Sequence, residues 1–115
     1  MSEKRYFLGE FEELVSRAII RLGENAYGVT IREVIEDKGE RKTSFGAIYA
    51  TLERLEQKGY VRSAMGEATP ERGGRAKKYY SITASGLKAV NDTRAARDRI
   101  LADVVLDRTP LGDLA

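Results

Sequence analysis

Two clusters of side chains in this sequence could do chemistry, and both are cationic. Arg72, Arg75, Lys77 and Lys78 crowd a stretch that also holds Pro70, Gly73 and Gly74. Lys42, Thr43 and Ser44 stand ahead of the small residues Gly46, Ala47 and Ala50, with Tyr49 and Arg54 close by. Cations and hydroxyls so arranged suit the neutralisation and hydrogen bonding of an anion rather than bond breaking. Between Arg41 and Tyr79 nine Lys or Arg face four Glu, a local balance of +5 in a chain of net charge +2, which leaves −3 for the flanks. A basic middle between mildly acidic ends is what an anionic partner selects, and it is also what a solvated charged face produces.

Composition removes most other chemistry. The 115 residues include no cysteine and no histidine. Disulfides, thiolate metal sites, cysteine nucleophiles, the usual general base and the usual nitrogen ligand are therefore all excluded. Serine or threonine attack assisted by lysine survives the count, but a lysine base needs desolvation and every lysine here sits in a polar context. No catalytic residue, metal or cofactor is expected. The first ten residues carry Glu3, Lys4, Arg5 and Glu10 and lack the apolar run of a signal peptide, and no segment could span a bilayer. A cytoplasmic protein with no membrane partner is expected, with room for one core.

The elements that must position the cations follow from periodicity. Phe7, Phe11, Leu14, Val15, Ala18, Ile19 and Leu22 form one helical stripe, with Glu10, Glu13, Arg17 and Arg21 off it and Gly23 as a stop. A short second helix buries Ile31, Val34 and Ile35. Thr30 and Glu33 have capping-box spacing, and a start a few residues earlier also fits. The third helix is capped by Thr43 or Ser44, carries Phe45, Ile48, Leu52 and Leu55 on one face, and ends at Gly59. Its opposite face holds Gly46, Ala47, Ala50 and Arg54, with Tyr49 and Thr51 at the margins.

From Tyr60 the period changes to two. Val61, Ser63 and Met65, then Lys78, Tyr80 and Ile82, read as two strands joined by the basic loop Gly66–Ala76. Thr83 caps a last helix expected to run through Leu87 and Val90 and to end near Pro110, with Ile100, Leu101, Val104 and Val105 as an apolar stripe.

This order predicts a mainly α fold with a small β-hairpin wing (α+β), a winged helix-turn-helix with a C-terminal dimerisation helix. Residues 1–83 form the DNA-binding domain, 84–108 the dimerisation helix and 109–115 a tail. In such a fold the third helix enters the major groove, where small residues permit close approach. Lys42, Thr43, Ser44, Gly46, Ala47, Tyr49, Ala50 and Arg54 then face double-stranded DNA, joined by Arg72, Arg75, Lys77 and Lys78 of the wing. Each piece also has a plainer reading. Arg72 to Arg75 can be a solvated turn, Tyr49 half-buried packing, and the C-terminal stripe a closure of the monomer core.

The stretch from Ser44 to Val61 resembles the recognition helix of the PadR-type regulators, the phenolic-acid-decarboxylase repressor family. Arg72 to Gly86 is similar to that family's wing and to the Thr-x-x-Gly entry of its last helix, and Tyr27-Gly28 to the turn before its second helix. The resemblance runs from about Leu14 to Val90, on the small, single-C-terminal-helix pattern. It implies a homodimeric repressor on an inverted-repeat operator, with Tyr49, the helix start, Lys77 and Lys78 on DNA. It also implies a dimer interface, here formed by Phe7, Phe11 and Val15 with Ile100, Leu101, Val104 and Val105. A small apolar effector could lodge there, although the chain has no tryptophan to hold a flat aromatic one. The alternative is a winged-helix protein-interaction module that does not bind DNA.

Overall fold

A computed structural model describes residues 7–66 and 76–105. Its order is α1 (Glu10–Leu22), α2 (Gly28–Asp37), α3 (Phe45–Gln57), β1 (Val61–Met65), β2 (Lys78–Ile82) and α4 (Ala84–Ile100), with a 3₁₀ turn at Gly23–Asn25. Three helices followed by an antiparallel hairpin make a winged helix-turn-helix of the α+β class, as the periodicity predicts.

Each start has a local cause. The N–H of Gly9 donates to Glu12 Oε1 at 3.0 Å, and Glu10, Glu12 and Glu13 occupy the positive end of α1. The hydroxyl of Ser44 accepts from Ala47 N at 3.1 Å, and that of Thr83 from Gly86 N at 3.0 Å. Thr30 is not the cap of α2. It sits in the first turn of a helix begun at Gly28, accepts from Tyr27 N at 3.0 Å and donates to Asn25 O at 2.6 Å. The hydroxyl reaches back as the acid of a capping box does. At the end of α3, Tyr60 N bonds Leu55 O at 2.9 Å and Gly59 N bonds Glu56 O at 3.0 Å, with Gly59 at φ 78°. That two-bond closure needs a left-handed residue, which glycine adopts without strain.

The core gathers Val15, Ala18 and Ile19 of α1, Ile31 and Ile35 of α2, and Ile48, Leu52 and Leu55 of α3 beneath Val61, Tyr80, Ala89 and Val90. The hairpin pairs Val61 with Ile82 through Met65 with Lys78, and Tyr80 N donates to Ala26 O at 2.8 Å, pinning β2 to the α1–α2 connection. Thr93 of α4 accepts from Leu8 N at 3.0 Å, tying the segment before α1 to the last helix.

Four further expectations are corrected. Val15 is 0% exposed inside its own protomer, so it offers no surface to a second chain. Glu13 lies off the apolar stripe yet is buried, because Arg17 and Arg97 both pair with its carboxylate. Thr51 belongs to the core side of α3, not to the margin of its outer face. Finally, α4 ends at Ile100 rather than near Pro110. Its last turn is wholly exposed, so no packing extends it, and the bonds Ala102 N to Arg99 O and Val104 N to Leu101 O tighten the chain into a turn. Leu101, Val104 and Val105 therefore follow the helix rather than continue a stripe along it. Residues 106–108 of the expected dimerisation helix, and the tail after them, lie outside the described residues.

Candidate nucleic-acid interface

The angle at which α3 leaves α2 is set by two side chains of α2. Arg32 Nε donates to Thr43 O at 3.0 Å, and Glu36 Oε2 accepts from Thr43 N at 3.1 Å while lying 3.3 Å from Arg32 Nε. The guanidinium also lies 4.5 Å from the centre of the Phe45 ring. Both backbone groups of Thr43 are thus held just before Ser44 starts α3. The Glu36 carboxyl is held below the usual carboxylate range, first by the Thr43 N–H and then, against some desolvation, by the charges of Arg32 and Lys42. Sequence reasoning missed this clamp. Its visible signal was only an Arg–Glu pair at i,i+4, which reads as an ordinary surface pair.

Beyond the clamp, α3 exposes Gly46, Ala47, Tyr49, Ala50, Glu53 and Arg54 while Ile48, Leu52 and Leu55 are fully buried. Phe45, at the first position of the inner face, is itself exposed because it lies at the open end of the helix against Arg32 and Tyr49. At about 100° per residue, Gly46, Ala50 and Glu53 lie along the line opposite the buried side chains. Glu53, like Arg32 and Glu36, receives no role from the sequence. Tyr49 is half-exposed and stacks on Phe45 with ring centres 6.4 Å apart. Its hydroxyl lies over Gly28, where a Cβ would come within 2.2 Å of it, so only glycine lets the ring settle on the start of α2. Packing and exposure coexist at Tyr49.

Arg54 is not wholly free. It donates to Thr51 Oγ1 at 3.1 Å and lies 3.8 Å from Glu12 Oε2, which also accepts from Lys58 Nζ at 2.8 Å. Burial pushes the Glu12 carboxyl up, but the bonds from Lys58 and the Gly9 N–H, with the charges of Lys58 and Arg54, bring it below its ordinary value. On the hairpin side, Lys77 Nζ lies 4.0 Å over the Tyr27 ring, and Tyr27 meets Tyr79 edge-on at 5.4 Å. Lys78 Nζ is 3.8 Å from Glu56 Oε1 and 5.7 Å from the Tyr80 ring centre. A cleft of about 220 Å³ brings Tyr49, Gly28, Lys77 and Lys78 together. Lys42 is exposed three residues before α3, whereas Arg72 and Arg75 lie outside the described residues.

The apolar candidates divide differently. Phe7 is exposed, Phe11 packs partly against the core with Arg41 above its ring at 5.2 Å, and Val15 is buried. Ile100, Leu101, Val104 and Val105 are all exposed.

Residues 18–92, more than half of the chain, match the Transcriptional regulator PadR-like family. This chain belongs to that family. Solved structures agree in fold. A PadR-like transcriptional regulator from Bacillus cereus superposes with a TM-score of 0.66 at 22% identity, covering 82% of this chain and 86% of its own. A PadR family transcription regulator from Clostridium difficile gives 0.64 at 22% identity, covering 84% and 94%. RosR of H. salinarum gives 0.64 at 20% identity, covering 85% and 81%. No curated protein sequence is significantly similar to this PadR-like chain. The family match runs from within α1 into α4 and stops before Arg97 and Ile100.

Proposed function

We propose that this PadR-like chain is a homodimeric repressor that lays α3 in the major groove of an inverted-repeat operator. One observation carries the reading. Over its first two turns the face of α3 opposite Ile48 and Leu52 presents Gly46, Ala47 and Ala50, side chains of at most one carbon, with Tyr49 at its margin and Lys42 and Ser44 at its entrance. A B-form major groove is about 12 Å wide, so such a face admits the helix backbone closely enough for its first turn to meet a phosphate. Lys77 and Lys78, with Arg72 and Arg75 of the loop, neutralise the backbone beside it, and Tyr49 joins the two contacts. The exposed apolar residues Phe7, Ile100, Leu101, Val104 and Val105 pair two protomers, and a small apolar effector lodges among them. A role on DNA places the protein in the cytoplasm, and no helix among the described residues is long and apolar enough to cross a membrane.

Selection of bound duplexes from a random pool tests the reading. The expected product is an inverted repeat with half-site centres about 34 Å, one helical turn, apart. A pool that returns no enriched duplex, together with no binding of random DNA at low salt, overturns it in favour of a protein-interaction module.

A further inference from the structure

Three charged side chains on the last turns of α3 and its cap are tied down within the protomer. Arg54 and Lys58 engage Glu12, and Glu56 accepts from Ser63 Oγ and pairs with Lys78. Glu53, on the same helix, is exposed and has no hydrogen bond or ion pair among the described residues. By helical geometry it lies about 20° around the axis from Gly46 and about 60° from Ala50. It is thus the first long side chain on the line that Gly46 and Ala50 leave bare. If α3 enters the groove on that line, the carboxylate of Glu53 reaches beyond the two small residues to the base edges.

A carboxylate there is an acceptor only. The major groove offers it two donors, the N4 amino group of cytosine and the N6 amino group of adenine. Adenine carries the acceptor N7 beside its amino group, so a carboxylate in the same plane meets a repelling lone pair. Cytosine presents a carbon-bound hydrogen at the neighbouring position. Guanine O6 and N7 and thymine O4 repel the carboxylate outright.

We propose that Glu53 is a base-reading residue whose carboxylate accepts a hydrogen bond from the N4 amino group of one cytosine in each half-site. The proposal rests on the DNA-binding reading above and adds to it a residue and a base.

Selection from one random duplex pool with the wild type, Glu53→Ala and Glu53→Gln tests it, followed by titration of half-sites that differ only at the assigned position. The wild type is expected to favour cytosine there over thymine by about tenfold, equivalent to about 1.4 kcal/mol. Glu53→Ala is expected to lose that preference and keep the rest of the site. Glu53→Gln is expected to turn it towards adenine, whose N6 and N7 a carboxamide matches. Alanine and glutamine are both good helix formers at an exposed position, and unchanged circular dichroism verifies the fold. Identical base preferences in all three proteins overturn the proposal, as does a uniform gain of affinity in the two variants, because either marks Glu53 as a solvated charge. A wild type that selects a base other than cytosine at the Glu53-dependent position overturns it too. Failure of all three proteins to select any duplex overturns the proposal, and overturns the DNA-binding reading as well where random DNA is not bound at low salt.

Discussion

Ala50 and Glu53 stand one turn apart on the same face of α3, and the physics that favours the first as small bears on what the second does. A carboxylate at position 50 would sit closer to the start of the helix, add to the charge of Glu53, and hold the backbone out of the groove. Ala50→Glu is therefore expected to weaken operator binding on the order of a hundredfold, since the base contacts displaced are worth about 1–3 kcal/mol each. The thermal unfolding midpoint should barely move, because the site is exposed and distant from Ile48, Leu52 and Leu55. Electrophoretic titration beside calorimetry checks both halves. Glu12 supplies a prediction in pH. Its folded carboxyl titrates below the unfolded value, so its contribution is fully present above the usual carboxylate pKa, about 4.3, and is lost as pH falls through the depressed folded value. Glu12→Gln should thus destabilise the protein near neutrality by roughly 1 kcal/mol, given that Lys58 and Arg54 are about half exposed and stay hydrated. The difference from wild type should close as pH falls through the depressed folded value of Glu12. A gap that persists there would show that packing of the side chain, not its charge, is what matters.

At the scale of elements, the elbow between α2 and α3 decides where the exposed face points. Glu36→Ala removes the acceptor of the Thr43 N–H and the partner of Arg32, while leaving the face itself untouched. Hydrogen exchange at the Thr43 amide should accelerate and operator affinity fall, with helix content retained. Unchanged exchange at Thr43 would place the control of α3 elsewhere. Loss of the Ser44 cap by Ser44→Ala should instead cost stability, about 1 kcal/mol. These two residues also mark what the sequence revealed. Ser44, Thr83, Gly23 and Gly59 were legible as boundaries because a cap is satisfied within its own turn. The stripe of Ile48, Leu52 and Leu55, and the paired alternation of the hairpin, were legible for the same local reason. The Arg32–Glu36 clamp was not, since its target is the backbone of Thr43 across a connection. Glu13 and Val15 were misassigned because their burial depends on Arg97 and on the core of the whole domain. The end of α4 was placed too late because apolar residues at helical spacing were read without asking what packs against them.

For the whole molecule the open surface is the end of α4. Ile100 is 79% exposed and Val105 93%, with Leu101 and Val104 each about half exposed. The core is already filled by α1, α2, α3, the hairpin and the first half of α4, and among the described residues nothing of the same protomer covers these side chains. Each gains roughly 1.5–3 kcal/mol on full burial, and four of them in each of two protomers suffice to offset the entropy of association. Because Val15 is sealed inside its protomer, the matching surface from the start of the chain reduces to Phe7 and the exposed part of Phe11. Leu101→Glu combined with Val104→Glu should therefore give a folded monomer, since neither residue contributes to the core. Operator binding should weaken far more than a direct contact would explain, because the second half-site is then no longer engaged intramolecularly. Light scattering at micromolar concentration checks the assembly, and circular dichroism the fold. A wild type that is already monomeric would overturn the homodimer, and a double variant that remains dimeric would move the protomer contact away from the C-terminal end of α4.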